Sequence, residues 1–213
     1  MNRDQLARIA VGDDERGGVS RRAFIKGSGA AAAATAIAQG AIVMADEAPT
    51  STAVVGPEAT AITMTVNGRQ RTVSAEPRAT LLEVLRTQLD LTGAKPVSSD
   101  GSSGASTVWL DEKPVSASTT LAIECEGKSV RTVETLGGVK PDPVVSAFAA
   151  HDAMQCGFCT PGFVVAVRAF LDKNPTASED EIRAGLNGNL CRCGTYANVI
   201  AAALDVVKGG SNG

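Results

Sequence analysis

The chain has 213 residues, 44% of them apolar, and a formal net charge of -3, a size and balance suited to one or two small globular domains. Its charges are mixed along the chain and its aromatics are five Phe, one Tyr and one Trp, which excludes the basic, aromatic-interleaved surface of a nucleic-acid binder. A single histidine, His151, beside five cysteines excludes a histidine-rich metal site and leaves sulfur as the main ligand resource.

The first element in chain order is an address. SRRAFIK, Ser20 to Lys26, follows a polar leader and precedes an uncharged, Ala/Gly-rich run from Gly27 to Ala45; residues 1–45 resemble a twin-arginine export signal. The expected mature chain starts near Asp46 and is periplasmic. Alanine and glycine supply little transfer energy to the run, so a stable membrane span is not expected. Residues 46–60, DEAPTSTAVVGPEAT, read as a flexible linker.

The first folded domain is expected over residues 61–136. ITMTV, Asn67-Gly68 and RQRTVSA predict two strands joined by a type I' turn. Thr80 and Glu83 predict a capping box, and Leu81, Leu82, Val84, Leu85 and Leu89 predict a helix of about ten residues packed on the hairpin. SSDGSSGAS follows, with Ser98 and Ser103 separated by four residues and Ser103 and Ser106 by two. That is the spacing of a plant-type iron-sulfur loop, but with hydroxyls where thiolates belong. TVWL, KPVSA, LAIE and SVRTV read as short strands, giving a small sheet crossed by one helix.

GGVKPDP, residues 137–143, marks a boundary, and residues 141–208 form the second expected domain. Apolar spacing in VVSAFAAHDAM, PGFVVAVRAFLDK, EDEIRAGLNG and NVIAAALDVV predicts four short helices, with Thr160 before Pro161 and Ser178 before Glu181 as start signals. Cys156, Cys159, Cys191 and Cys193 fall between those helices as a compact four-thiolate set. Zinc and disulfides are the competing uses. Cys125, at the end of LAIE, reads as an apolar filler.

LTGAK, GSSGASTVWLD, PVSASTTLAIE, QCGFCTPGF and GNLCRCGTY resemble the small iron-sulfur subunit of the molybdenum hydroxylases, the xanthine oxidase and aldehyde oxidoreductase family, from about residue 61 to residue 208. The resemblance implies an α+β fold, a β-grasp ferredoxin-like domain followed by a four-helix [2Fe-2S]-binding domain. It places the first ligand set on Ser98, Ser103, Ser106 and Ser118, all serine, with Gly101 and Gly104 retained. Serine hydroxyls are less acidic and harder donors than thiols. The expectation is therefore a metal-free first loop held by hydroxyl-to-backbone bonds, and one [2Fe-2S] cluster on Cys156, Cys159, Cys191 and Cys193. Gln155 and Cys193 are implied to lie against a molybdopterin held mainly by a partner subunit. The implied role is electron transfer, without a substrate site, beside a large molybdopterin-binding subunit that oxidises aldehydes or N-heterocycles, with a flavin subunit or cytochrome as acceptor. A non-catalytic scaffold or export partner, and a free-standing zinc or redox-sensing domain, are the alternatives.

Overall fold

The computed structural model describes residues 56–210 and, ahead of them, Arg22. Except for Arg22, the export-signal reading lies outside the described residues, as does the linker before Gly56. By its internal contacts the chain divides into Met1–Ala53 and Val54–Gly213, and the sheet and helices of residues 56–210 all lie in the second unit.

Strands β1 (Thr60–Val66) and β2 (Arg69–Ala75) form the expected hairpin, in register from Thr60 with Ala75 to Val66 with Arg69. Asn67 and Gly68 both take positive φ, 50° and 76°, as a type I' turn requires. The period of two sends Ile62, Met64 and Val66 inward. Helix α1 (Leu81–Thr87) packs on them through Leu81, Leu82, Val84 and Leu85. Its Thr80 hydroxyl accepts the Glu83 N–H at 3.2 Å. The helix is shorter than expected, because Asp90, at φ 55°, turns the chain away soon after Gln88.

Strands β3 (Thr107–Leu110) and β4 (Lys113–Ser116) form a second hairpin, and β5 (Ser129–Arg131) lies between it and the first. The sheet order is β2-β1-β5-β3-β4, with β5 parallel to β1 and antiparallel to β3. A mixed sheet of this kind crossed by one helix is a β-grasp.

LAIE is not a strand. Ala122–Cys125 is a 3-10 turn, and Val133–Leu136, at the end of the SVRTV stretch, is another. The three-residue period of a 3-10 turn puts Ala122 and Cys125 on one face, and both are fully buried. Glu124 also accepts the Leu121 N–H at 3.3 Å, which closes the turn.

The four expected helices form: α2 (Pro143–Ala150), α3 (Thr160–Lys173), α4 (Glu179–Gly185) and α5 (Tyr196–Gly210). Asp142 caps α2 by accepting the Val144 N–H at 2.8 Å. Ser178 and Glu181 make a reciprocal capping box at α4. Helix α2 stops at Ala150, short of the expected Met154, since Asp152 takes φ 50°. Thr160 is the first residue of α3, and the cap position belongs to Cys159.

Two apolar cores result, one between the sheet and α1 and one among α2 to α5. They meet on β3. Val108 points into the first core, while Trp109, one residue on, is 1% exposed within the helical one. The β-grasp half thereby supplies one wall of the helical core. Among the described residues, no helix is long and apolar enough to cross a membrane.

Candidate functional site

The serine loop is organised by its own hydroxyls. Ser98 and Ser103 bond through their hydroxyls at 2.7 Å, and the Ser103 N–H donates to the Ser98 oxygen at 3.0 Å. Ser106 and Ser118 form a second pair at 2.9 Å, with the Ser118 N–H donating to Ser106 at 3.3 Å. Ser116 closes a triangle with that pair at 3.2 Å and 3.0 Å. Ser103, Ser106 and Ser118 are buried, so each hydroxyl needs such a partner. Asp100 ties the loop tip by accepting the hydroxyl and then the N–H of Ser102, and these bonds hold its carboxyl below the ordinary range. The expected bonding of hydroxyls to backbone N–H groups is present.

The cysteines lie where α2 meets α3 and where α4 meets α5. Cys156 and Cys193 are exposed, Cys159 is half-buried and Cys191 buried. Their thiols neighbour one another, Cys159 sensing Cys191 and Cys156, and Cys193 sensing Cys156 and Cys191. Burial, then the bond and charge of Cys191, pushes the Cys159 thiol up to about 12. Burial would also raise Cys191, but the Thr195 hydroxyl at 3.2 Å and its neighbouring bonds bring that thiol down to about 7. At Cys193 a backbone bond from Cys156 lowers the pKa, but the Cys156 side chain and the surrounding thiols carry it above its ordinary value.

The expectation of one [2Fe-2S] cluster on these four cysteines is corrected by this geometry. Among the described residues, no group of three or more His, Cys, Asp or Glu side chains is placed to hold a metal ion. As placed here, the four thiols are not gathered into a group that would hold the cluster or zinc. Cys125 is a buried filler as expected, its thiol pushed up to about 11 by burial and its Sγ donating to the Leu121 carbonyl at 3.7 Å.

Asn189, Tyr196 and Phe163 at the site were not singled out from the sequence. The Cys191 N–H donates to the Tyr196 hydroxyl at 2.7 Å, and the Tyr196 ring meets Phe163 edge-on with centroids 6.0 Å apart. Asn189 is buried and donates to the Gly104 carbonyl at 3.1 Å. The Thr160 hydroxyl, beside Cys159, is buried without a hydrogen-bond partner. The polar residues packed around NLCRC were the available signal. Gln155 and Arg192 are both exposed. Met154, Phe158, Leu190 and Tyr196 add exposed apolar surface around the two cysteine loops.

Residues 132–204 match the model of a [2Fe-2S] binding domain. The chain is 42% identical over 144 residues to the nicotine 6-hydroxylase small subunit of Paenarthrobacter nicotinovorans, covering 68% of this chain and 87% of that one. It is 37% identical over 205 residues to the aldehyde oxidoreductase iron-sulfur-binding subunit PaoA of Escherichia coli K12, covering 88% and 87%. The structure is similar to that of quinoline 2-oxidoreductase from Pseudomonas putida 86, with a TM-score of 0.69 at 39% identity, covering 73% of this chain and 98% of that one. With its β-grasp and four-helix halves and its CGFCTPG and NLCRC loops, the chain belongs to the small iron-sulfur subunits of the molybdenum hydroxylase family.

Proposed function

We propose that this subunit relays electrons in an assembly with a large molybdopterin-bearing subunit that oxidises an aldehyde or an N-heterocycle, and that a flavin subunit or a cytochrome accepts them. The observation that carries the reading is the meeting of the two cysteine loops at one exposed face. Cys156, Cys159, Cys191 and Cys193 are the residues on which the relay depends. Gln155 and Cys193, both exposed there, face the large subunit. Exposed Met154, Phe158, Leu190 and Tyr196 support that docking, since apolar surface gathered around a site favours a protein partner. The names of the relatives, a hydroxylase small subunit and an aldehyde oxidoreductase subunit, support the substrate class.

The test is Cys191→Ser in the assembled complex. Turnover with an external electron acceptor is expected to fall at least about tenfold, with the large subunit still co-purifying. Unchanged turnover would instead support the scaffold reading, which the hydrogen-bonded serine loop favours.

The same reading places the mature chain in the periplasm, on the strength of SRRAFIK. Replacing Arg21 and Arg22 together with Lys is expected to leave the unprocessed chain in the cytoplasmic fraction. Export of that variant at the parent's level would reject the twin-arginine reading.

A further inference from the structure

The serine loop is bonded directly to the loop that carries Cys191. The Leu190 N–H donates to the Ser103 carbonyl at 3.0 Å, and Asn189 Nδ2 donates to the Gly104 carbonyl at 3.1 Å. Asn189 is 8% exposed, so water does not readily replace a lost partner. The junction is built for close approach. Gly104 has φ +66°, and a Cβ there would meet the Gly188 carbonyl oxygen at 2.4 Å. From the α3 side, a Cβ on Gly162 would meet the Gly104 carbonyl oxygen at 2.2 Å.

Both ends of the junction are anchored. On the serine side, the Ser98 hydroxyl takes the Ser103 N–H and bonds the Ser103 hydroxyl, which holds the residue whose carbonyl Leu190 uses. On the cysteine side, Leu190 is followed at once by Cys191, whose N–H is held by Tyr196. The bonds thus run from Ser98 through Ser103 and Leu190 to Cys191, with Asn189 as a parallel strut.

We infer that the serine loop works as a clamp on the cysteine loop, and that Asn189 and Ser98 are positioning residues for the thiols of Cys191 and Cys193. The clamp rests on the electron-relay reading. A set of side chains on an irregular loop stays aimed only if its neighbours lock it, and α4 ends at Gly185, several residues before the cysteines. The hydroxyl network supplies that lock from the other half of the molecule. It also gives the serines work that does not involve metal.

The experiment uses the full chain assembled with its large subunit, in four variants: Asn189→Asp, Asn189→Ala, Ser98→Ala and Ser98→Thr. Aspartate keeps the shape of asparagine but, ionised, has no proton to donate. The measurements are kcat and KM with an external acceptor, the rate at which the exposed Cys193 thiol is alkylated, and Tm. Both Asn189 variants are expected to lower kcat by about tenfold with KM unchanged, the size of loss that misplacement by a fraction of an ångström produces. They should also change that alkylation rate. Ser98→Ala should move both readouts in the same direction, and Ser98→Thr, which restores a hydroxyl, should return them.

A lowered Tm with kcat and alkylation rate at parent values would overturn the clamp and leave a merely structural contact. Should the Asn189 variants fail to assemble, the Ser98→Ala and Ser98→Thr comparison decides alone, and equal alkylation rates in those two would overturn it. Cys191→Ser is the control for the reading beneath. If it leaves turnover unchanged, the relay reading itself fails. If it abolishes turnover while the Asn189 and Ser98 variants behave as the parent, only the clamp does.

Discussion

Replacing Trp109 with alanine is expected to destabilise the chain by about 3–5 kcal/mol, the range for emptying a fully buried large aromatic. The residue is 1% exposed and lies in the helical core although it belongs to β3. Its loss removes a wall that no helix can replace. A second effect adds to the cavity. The Arg131 guanidinium lies 4.0 Å from the Trp109 ring centroid, on the paired residue of β5, and its Nε is buried without a hydrogen-bond partner. The ring's negative face compensates that group in part, and alanine would remove the compensation. Since a domain of this size has about 5–15 kcal/mol in all, the variant should lose a large part of its stability in urea denaturation. Trp109→Phe should recover a good share. A loss below about 1 kcal/mol for the alanine variant would mean that the helical core closes without the strand, contrary to the packing described.

Gly162→Ala is the second large expected effect, and here two terms oppose. Alanine favours a helix over glycine by about 1 kcal/mol. Against this, the added Cβ would sit 2.2 Å from the Gly104 carbonyl oxygen and 2.9 Å from the Ala105 Cα. These are backbone atoms, so no side-chain rotation relieves the contact, and overpacking of this kind costs about 1–3 kcal/mol or more. Relief requires α3 to move off the serine loop, which also strains the Asn189 and Leu190 bonds to that loop. The clash wins. A net loss of about 2 kcal/mol is expected by denaturant titration, and a variant as stable as the parent or more so would show that the two loops do not touch as described. Gly188→Ala is the control, because a Cβ there meets nothing within 4 Å.

Much of this architecture was legible in short-range signals. Asn67-Gly68 admits few structures other than a tight hairpin, and Ser178 with Glu181 marked a helix start correctly. LAIE failed because four residues are too few to separate a period of two from a period of three, and the Leu121 to Glu124 closure that decides it is a side-chain bond. The alternation in TVWL announced that Val108 and Trp109 face opposite ways, yet nothing local says what the second face meets. The same limit applied at the site. Spacing placed Ser98, Ser103 and Ser106 in one loop, and the hydroxyl pairs follow that spacing. It gave no warning of how differently the four thiols would be buried, because pKa values such as that of Cys159 depend on burial contributed by other elements. Asn189 was invisible for a related reason, since its partner lies 85 positions away.

The parallel pairing of β1 with β5 has a consequence for the timing of synthesis. Thr65 and Val66 have no partner on that edge until Ser129 and Val130 leave the ribosome, so the hairpin and α1 must wait with one flank open. Pairings of such separation are slow to close. Nor does closure of the sheet finish the molecule, because Trp109 remains without its surroundings until α2 to α5 have been made. A nascent chain interrupted anywhere before α5 therefore carries either an open strand edge or an uncovered tryptophan, both of which invite aggregation and chaperone capture.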